Sequence, residues 1–204
     1  MALLEQILMR TLSIQKYFSH NIARLYLLFF TLFLIILAST GLYAAEKEIV
    51  NRELKIKIAM IYNFSKFVSW PDEAFSLNNN DFILCVKAKP YIFDTFKNSL
   101  KEKVVRGKLV VVQPIEINSS DQSKCHMSYI SSESTKNQNE VLSRYNESPV
   151  LTVGDSDGFV RQGGMIKLFV KNNRLQFEIN LKKSEREGLK ISSKLLNIAS
   201  RVSR

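Results

Sequence analysis

The chain has 204 residues, of which 46% are hydrophobic and 24% are charged. This balance is typical of a globular protein and excludes a disordered or repetitive chain. The formal net charge is +10 at pH 7, but the lysines and arginines are scattered and form no stripe with stacking aromatic residues. We therefore expect no nucleic-acid partner. The basic surface is either simply solvated or attracted to anionic lipid headgroups or to an acidic protein.

The N-terminal segment differs from the rest of the chain. Residues 25–37 are an apolar run with Thr31 inside it, and basic residues precede it. A basic segment followed by an apolar run is the layout of a bacterial export signal. We therefore assign residues 1–44 to an export signal, which is either cleaved after Ala44 or retained as a membrane anchor. Residues 45–204 then form a single domain in the periplasm.

Residues 54–68 have the apolar periodicity of a helix with two apolar rows. One row, which begins at Leu54, is expected to face the core of the domain. The second row contains Met60, Phe64 and Phe67 and predicts burial on another side of the helix. This row either packs inside the domain or contacts another subunit or protein, so its three residues are candidate contact residues.

The rest of the chain alternates strand and helix patterns. Apolar runs predict strands at residues 82–87, 108–112, 125–130 and 149–153, and helical spacing predicts helices at residues 91–100 and 141–145. Two further runs, at residues 165–170 and 174–179, flank Asn172-Asn173, a pair that favours the tight turn of a hairpin. Residues 192–202 predict a closing helix. The fold class is therefore α/β: a single-domain layered sheet, largely parallel, with a C-terminal antiparallel hairpin and flanking helices.

The chain contains two cysteines, Cys85 and Cys125. In the oxidising periplasm, two cysteines on neighbouring elements are expected to form one disulfide, here closing a loop of about 40 residues. Metal binding with the adjacent His126 is the alternative, but two cysteines and one histidine lack the number and spacing of ligands in a zinc site. We therefore predict a structural disulfide, no metal and no cofactor.

Gly154 and Asp155 follow a predicted strand, at the edge where α/β sheets place their ligands. Gly163-Gly164 forms a second glycine-containing turn, and a pair of glycines allows a ligand or a partner backbone to approach closely. The alternative is turn chemistry, in which Asp155 caps the turn that follows it and the glycines serve a tight bend. Gly154, Asp155, Gly163 and Gly164 are therefore candidate partner- or ligand-binding residues.

Sequence patterns of catalysis are absent. The chain contains none of the motifs G-x-S-x-G, H-E-x-x-H, G-x-x-x-x-G-K-[ST] and G-x-G-x-x-G. Its two histidines are His20, in the export signal, and His126, beside a cysteine. Because acid–base catalysis needs a cluster of titratable groups, we predict that the protein is not an enzyme and has no catalytic residues.

Several segments follow one another in an order that is specific when they are taken together. They are residues 61–71 (IYNFSKFVSWP), 84–86 (LCV), 149–155 (PVLTVGD), 163–166 (GGMI), 174–180 (RLQFEIN) and 188–196 (GLKISSKLL). In these segments the chain resembles the YfiR-like family of bacterial periplasmic proteins. The resemblance extends from about Ile56 to Val202, which is nearly the whole of the predicted domain.

The resemblance implies a regulator. Members of the family restrain an inner-membrane diguanylate cyclase by binding its periplasmic sensor domain, which lowers cyclic di-GMP signalling and biofilm formation. The resemblance also implies an α/β fold, a homodimer and a redox-sensitive cysteine pair, to which Cys85 and Cys125 correspond. Some members carry a second disulfide, for which this chain has no cysteines.

The alternative function is a periplasmic small-ligand-binding sensor module that serves a histidine kinase or another membrane receptor. In this alternative, the Gly154-Asp155 turn and Gly163-Gly164 form a rim that accepts an anion or a nucleotide, and the identity of the ligand stays open.

Overall fold

The computed structural model describes residues 28–34, 51–75, 81–115, 124–134 and 136–204. Residues 28–34 form a short helical stretch with exposed side chains, in which Thr31 Oγ1 donates a hydrogen bond to the Leu28 carbonyl at 2.9 Å. Within the described ranges, no helix combines the length and the apolar character needed to cross a membrane. The export signal predicted at residues 1–44 lies outside the described residues except for this stretch and stays a prediction.

The main compact unit consists of residues 52–204. Helix α1 covers residues 51–67, and the later helices are α2 (Pro90–Ser99), α3 (Gln138–Ser143), α4 (Leu181–Arg186) and α5 (Ser193–Ile198). The strands are β1 (Val68–Ser69), β2 (Asp81–Lys87), β3 (Val104–Val105), β4 (Lys108–Pro114), β5 (Met127–Ile130), β6 (Leu151–Gly154), β7 (Ile166–Lys171), β8 (Arg174–Asn180), β9 (Lys190–Ile191) and β10 (Arg201–Ser203).

The strands form an eight-stranded sheet with the order β10-β8-β7-β6-β5-β2-β4-β3, and β1 and β9 form a separate antiparallel pair. The fold is therefore mixed α/β. The prediction of a largely parallel sheet that ends in a hairpin is correct only in part. The five neighbouring strands β4, β2, β5, β6 and β7 pair in parallel, in that order across the sheet. Strands β7 and β8 form the predicted hairpin. However, β10 lies outside that hairpin, and β3 adds an antiparallel pair at the other edge.

The closing helix predicted at residues 192–202 is too long. After α5, Ala199 is extended, with φ −68° and ψ 138°, and Arg201–Ser203 form β10, which pairs in parallel with β8. Ser200 N also donates a hydrogen bond to the Phe177 carbonyl at 2.9 Å. The physical reason is that β8 has an outer edge with unpaired backbone groups, which a strand can satisfy and a helix cannot.

Apolar side chains cover the sheet on both faces. Strand β2 demonstrates this, because Phe82, Leu84 and Val86 belong to one core while Ile83 and Cys85 belong to the other. The first core contains the apolar residues of α1 and α2, and the second contains those of α3 and of the segment after β6. A strand that is buried on both faces has a continuous apolar sequence, which explains why the pattern of β2 predicts it correctly.

The predicted disulfide between Cys85 and Cys125 is confirmed, with a Cα–Cα distance of 5.8 Å and a sequence separation of 40. Both cysteines are buried in the second core, where the hydroxyl of Tyr145 lies 3.8 Å from Cys125 Sγ. The bond joins β2 to the segment just before β5. In the part of the chain that the structure describes, no group of three or more His, Cys, Asp or Glu side chains could hold a metal ion.

We predict that the double variant Cys85→Ala/Cys125→Ala loses about 4 kcal/mol of unfolding free energy, because the cross-link restricts the unfolded chain. Urea denaturation followed by fluorescence measures this loss, since the single tryptophan, Trp70, is buried. A thiol reductant should destabilise the natural chain by a similar amount and leave the double variant unchanged. An equal effect of the reductant on both proteins would contradict the prediction.

His126 lies in a buried aromatic stack beside the disulfide. Its ring stacks on those of Phe75 and Phe82, at centroid distances of 4.6 and 5.1 Å. Its Nδ1 accepts a hydrogen bond from Ile83 N at 2.9 Å, and its carbonyl accepts one from Trp70 Nε1 at 2.9 Å. Burial lowers the pKa of His126 to about 4, because the charged form would lose its hydration. The ring is therefore neutral in the folded protein at neutral pH.

The lowered pKa of His126 predicts a loss of stability in mild acid. Below pH 6.5 the unfolded chain binds a proton at this residue, whereas the folded chain does not bind it until about pH 4. The contribution of neutral His126 is therefore present above pH 6.5 and is lost as the pH falls to about 4, on the order of 3 kcal/mol in total.

His126→Asn, which keeps an acceptor for Ile83 N, should lose less stability over this pH range than the natural chain does. Urea denaturation of both proteins at several pH values measures the difference between them, in which the titration of the shared carboxylates cancels. Parallel stability curves for the two proteins would show that His126 does not titrate as described.

Candidate functional site

The second apolar row of α1 is divided between the core and the surface. Phe64 is 1% exposed, and its ring meets that of Phe177 edge-on at a centroid distance of 5.0 Å. Met60 and Phe67 are half-buried at the border of the first core. Phe64 is therefore a core residue with no surface to offer a partner, whereas Met60 and Phe67 retain exposed area.

Ile56 extends the exposed part of this row and is 48% exposed. Ile56, Met60 and Phe67 follow one another at intervals of four and seven residues, so they lie in one line along α1. We call these three residues the α1 stripe. The sequence pattern alone places Phe64 in this row, because Phe64 is a large apolar residue, and it leaves Ile56 out. The four-residue interval from Ile56 to Met60 is the signal that identifies it.

Gly154 and Gly164 face the two edges of the Phe159 ring. A Cβ atom added to either glycine would overlap atoms of that ring, and Phe159 is fully buried in the second core. Gly163 has a φ of +96° and open space at its Cβ position, so there the glycine serves the backbone conformation of the turn. The space beside Gly154 and Gly164 is therefore filled by Phe159 and is not open to a ligand.

Asp155 holds α1 against the sheet. Its Oδ2 accepts hydrogen bonds from Lys57 Nζ at 3.0 Å and from the Tyr129 hydroxyl at 3.1 Å, and its Oδ1 accepts one from Ser132 N at 2.6 Å. The Asp155 side chain is only 7% exposed. The carboxylate therefore caps the turn that follows β5. It does not cap the turn that follows Asp155 itself, so the turn-capping alternative named the wrong turn.

The charges around Asp155 favour a fixed ion pair. Burial alone would lower the pKa of Lys57. The nearby carboxylates of Asp155 and Glu53, the latter 3.1 Å from Lys57 Nζ, outweigh the effect of burial and raise this pKa. Burial raises the pKa of Tyr129, and the negative charge of Asp155 adds to the rise. Lys57 is therefore charged and Tyr129 neutral at neutral pH, an arrangement that positions α1 and supplies no group ready to exchange protons.

A second polar cluster follows β2 and β5. Glu133 accepts hydrogen bonds from Lys89 Nζ at 2.8 Å and from the Tyr91 hydroxyl at 2.7 Å. These bonds lower the pKa of Glu133 and raise that of Tyr91 to about 12. Lys87 Nζ donates to the Lys136 carbonyl at 2.6 Å. These polar groups, at the sheet edge where α/β proteins commonly bind ligands, are thus paired with one another.

An open cavity of about 410 Å³ lies between the start of α3 and the segment after β6. Its lining consists of Asn137, Gln138, Asn139, Ser156, Asp157 and Gln162. None of the predicted site residues belongs to this lining, although the last three lie between Asp155 and Gly163. Sequence reasoning missed the cavity because short runs of Asn, Gln and Ser are also typical of turns. The packing of α3 beside the end of β6 brings the two segments together.

A family model described as YfiR/HmsC-like matches residues 54–200. The matched range includes the α1 stripe, the Asp155 contacts, both cysteines and all residues of the cavity lining. Among curated proteins, no significant match to the chain was found.

Gly154→Ala should lower the free energy of unfolding by about 1–3 kcal/mol, because the added methyl group forces the Phe159 ring to move. In the double variant Gly154→Ala/Phe159→Leu, the smaller side chain relieves the overlap, so the loss should be smaller than the sum of the two single losses. Urea denaturation of each protein measures this coupling.

The matched control for this coupling is Gly163→Ala. It should cost about 1 kcal/mol through its positive φ, and its loss should simply add to that of Phe159→Leu. Additive losses for Gly154→Ala with Phe159→Leu would mean that the ring does not occupy the space beside Gly154.

Proposed function

Because the chain belongs to the YfiR/HmsC-like family, we propose that it binds and restrains an inner-membrane diguanylate cyclase through that enzyme's periplasmic sensor domain, lowering cyclic di-GMP signalling and biofilm formation. The family match over residues 54–200 carries this proposal. Members of this family are periplasmic regulators rather than enzymes.

The α1 stripe is the proposed contact surface. Ile56 exposes about half of its area, and Met60 and Phe67 continue the apolar line beside it. Apolar side chains that are exposed in the free protein and become desolvated in a complex supply much of the binding energy of an interface. The opposite side of α1 is fixed by the first core and by the ion pair of Lys57 with Asp155. The stripe is therefore presented on a rigid element, which reduces the entropy lost on binding.

Positive charges near the α1 stripe also favour it as the contact surface. Lys55 and Lys66 are exposed on α1, and the chain as a whole carries a formal net charge of +10. Cations around an apolar contact accelerate the encounter with an acidic partner and help to exclude wrong partners. An acidic surface on the sensor domain of the cyclase would complement this arrangement.

Restraint follows from differential affinity. A regulator that binds the inactive conformer of the cyclase more tightly than the active one shifts the population toward the inactive conformer. The disulfide lies in the second core, on the face of the sheet opposite α1, so its redox state would change repression through the stability of the regulator and not by direct contact with the partner. The homodimer implied by the family resemblance stays a prediction.

The test compares Ile56→Asp with Val170→Asp, in which the same charge replaces an aliphatic residue of similar exposure, 48% and 51%. A charge in the α1 stripe should weaken cyclase binding at least tenfold, which is about 1.4 kcal/mol, and should raise cellular cyclic di-GMP to the level of cells that lack the protein. The measurements are recovery of the cyclase from membranes with each protein as bait, and the cyclic di-GMP content of the cells.

Val170→Asp, on β7, is expected to behave as the natural chain does, and immunoblotting verifies that both variants are equally abundant. Failure to recover any diguanylate cyclase with the natural chain would overturn the proposed function. Equal recovery with both variants would leave the function intact and would reject the α1 stripe as the contact surface.

A further inference from the structure

The floor of the cavity between α3 and the segment after β6 consists of buried polar side chains. Gln138 and Ser156 are each 5% exposed. Ser156 Oγ donates a hydrogen bond to Gln138 Oε1 at 2.6 Å, and Gln138 Nε2 donates one to Gln162 Oε1. Burying a carboxamide is costly unless its groups are hydrogen-bonded. These bonds fix the Gln138 amide in one orientation, so the floor is pre-organised.

Every residue that lines the cavity has a polar side chain, and the lining is nearly neutral in charge. Its residues are four carboxamides, one hydroxyl and one carboxylate, and they include no lysine or arginine. The carboxylate, Asp157, is paired with Lys167 Nζ at 3.0 Å. The site therefore has no cation in its lining to hold a phosphate or nucleotide, and its one anion is already balanced. This chemistry differs from the anion-accepting rim predicted from the glycines.

Carboxamides and hydroxyls both donate and accept hydrogen bonds. A sugar hydroxyl also does both, so a run of neighbouring hydroxyls on a small ring matches such a lining better than an ion does. The volume of about 410 Å³ lies within the range of roughly 300–1,000 Å³ that is typical of small-molecule sites. Ser156 and Asp157 also follow β6 at the carboxyl edge of the sheet, which is the usual ligand edge of α/β folds.

We propose that this cavity is a binding site for a neutral polyhydroxylated molecule of monosaccharide size. The sugar hydroxyls would exchange hydrogen bonds with the exposed carboxamides of Asn137, Asn139 and Gln162 and with the Asp157 carboxylate, above the fixed amide of Gln138. The site is separate from the α1 stripe and does not depend on the identity of the membrane partner.

The test uses isothermal titration and ligand-observed NMR on the protein purified from cells that express the full sequence. The probes are glucose, mannose and N-acetylglucosamine as neutral sugars, spermidine as a cation, and inorganic phosphate and guanosine monophosphate as anions. The expected result is saturable binding of at least one sugar and no comparable binding of the charged probes.

Two lining variants and one matched control locate the binding. Gln162→Ala and Asn139→Ala, both at exposed lining positions, should each weaken sugar binding at least tenfold. Gln113→Ala makes the same kind of change at an exposed glutamine in β4, outside the lining, and should bind as the natural chain does. Thermal unfolding verifies that the variants are folded, and two independent lining positions protect the test against the failure of one variant.

The proposal is overturned if none of the three sugars binds, or if both lining variants bind sugar as the natural chain does. It is also overturned if Gln113→Ala weakens binding as much as the lining variants do, since the sugar would then bind elsewhere. Binding of spermidine, phosphate or guanosine monophosphate in place of a sugar would assign the cavity to a charged ligand and reject the neutral class.

Discussion

Strand β2 lies between β5 and β4 and buries side chains on both of its faces, so neither face of the sheet can be left to solvent. This requirement accounts for the arrangement of the other elements. Helices α1 and α2 supply the first core, and α3 with the segment around Phe159 supplies the second. The cross-link from Cys85 in β2 to Cys125, just before β5, then fixes these two neighbouring strands within the second core. The Asp155 carboxylate and the residues that line the cavity lie beyond the ends of the strands.

The parts of the fold that follow from local patterns could be predicted from the sequence. The continuous apolar run of β2, the helical periodicity of α1 and α2, and the pair of asparagines in the β7–β8 hairpin each specify one structure locally. Strand β10 could not be predicted in this way. Its one apolar residue, Val202, continues the apolar spacing of α5, and only the open backbone edge of β8, supplied by the tertiary fold, makes this segment a strand. The pair of β1 and β9 is similar, because two residues of strand carry no periodicity of their own.

The candidate site was less predictable, since residue type indicates a constraint without identifying the atom that imposes it. Gly154 and Gly164 indicate correctly that a side chain is excluded, but the excluding group is Phe159, several residues away, and not a ligand. Asp155 indicates a cap, but the turn it caps follows a different strand. Phe64 has the residue type of a contact residue and the position of a core residue. In each case the residue that determines the role of the site residue is brought beside it by the fold, and the local sequence does not identify that residue.

The two proposed surfaces lie on different elements and are connected through neighbouring residues at the end of β6. Asp155 accepts hydrogen bonds from Lys57 on α1, and the next residue, Ser156, donates to the floor of the cavity. An occupant of the cavity that displaced Ser156 would act on the backbone that positions Asp155 and therefore on the ion pair that holds α1. Such a short route does not by itself establish coupling, because a ligand shifts an equilibrium only by the difference between its affinities for the two states. A sugar that left Asp155 in place would bind without changing how the α1 stripe is presented, and the protein would then be a regulator whose ligand site serves another purpose.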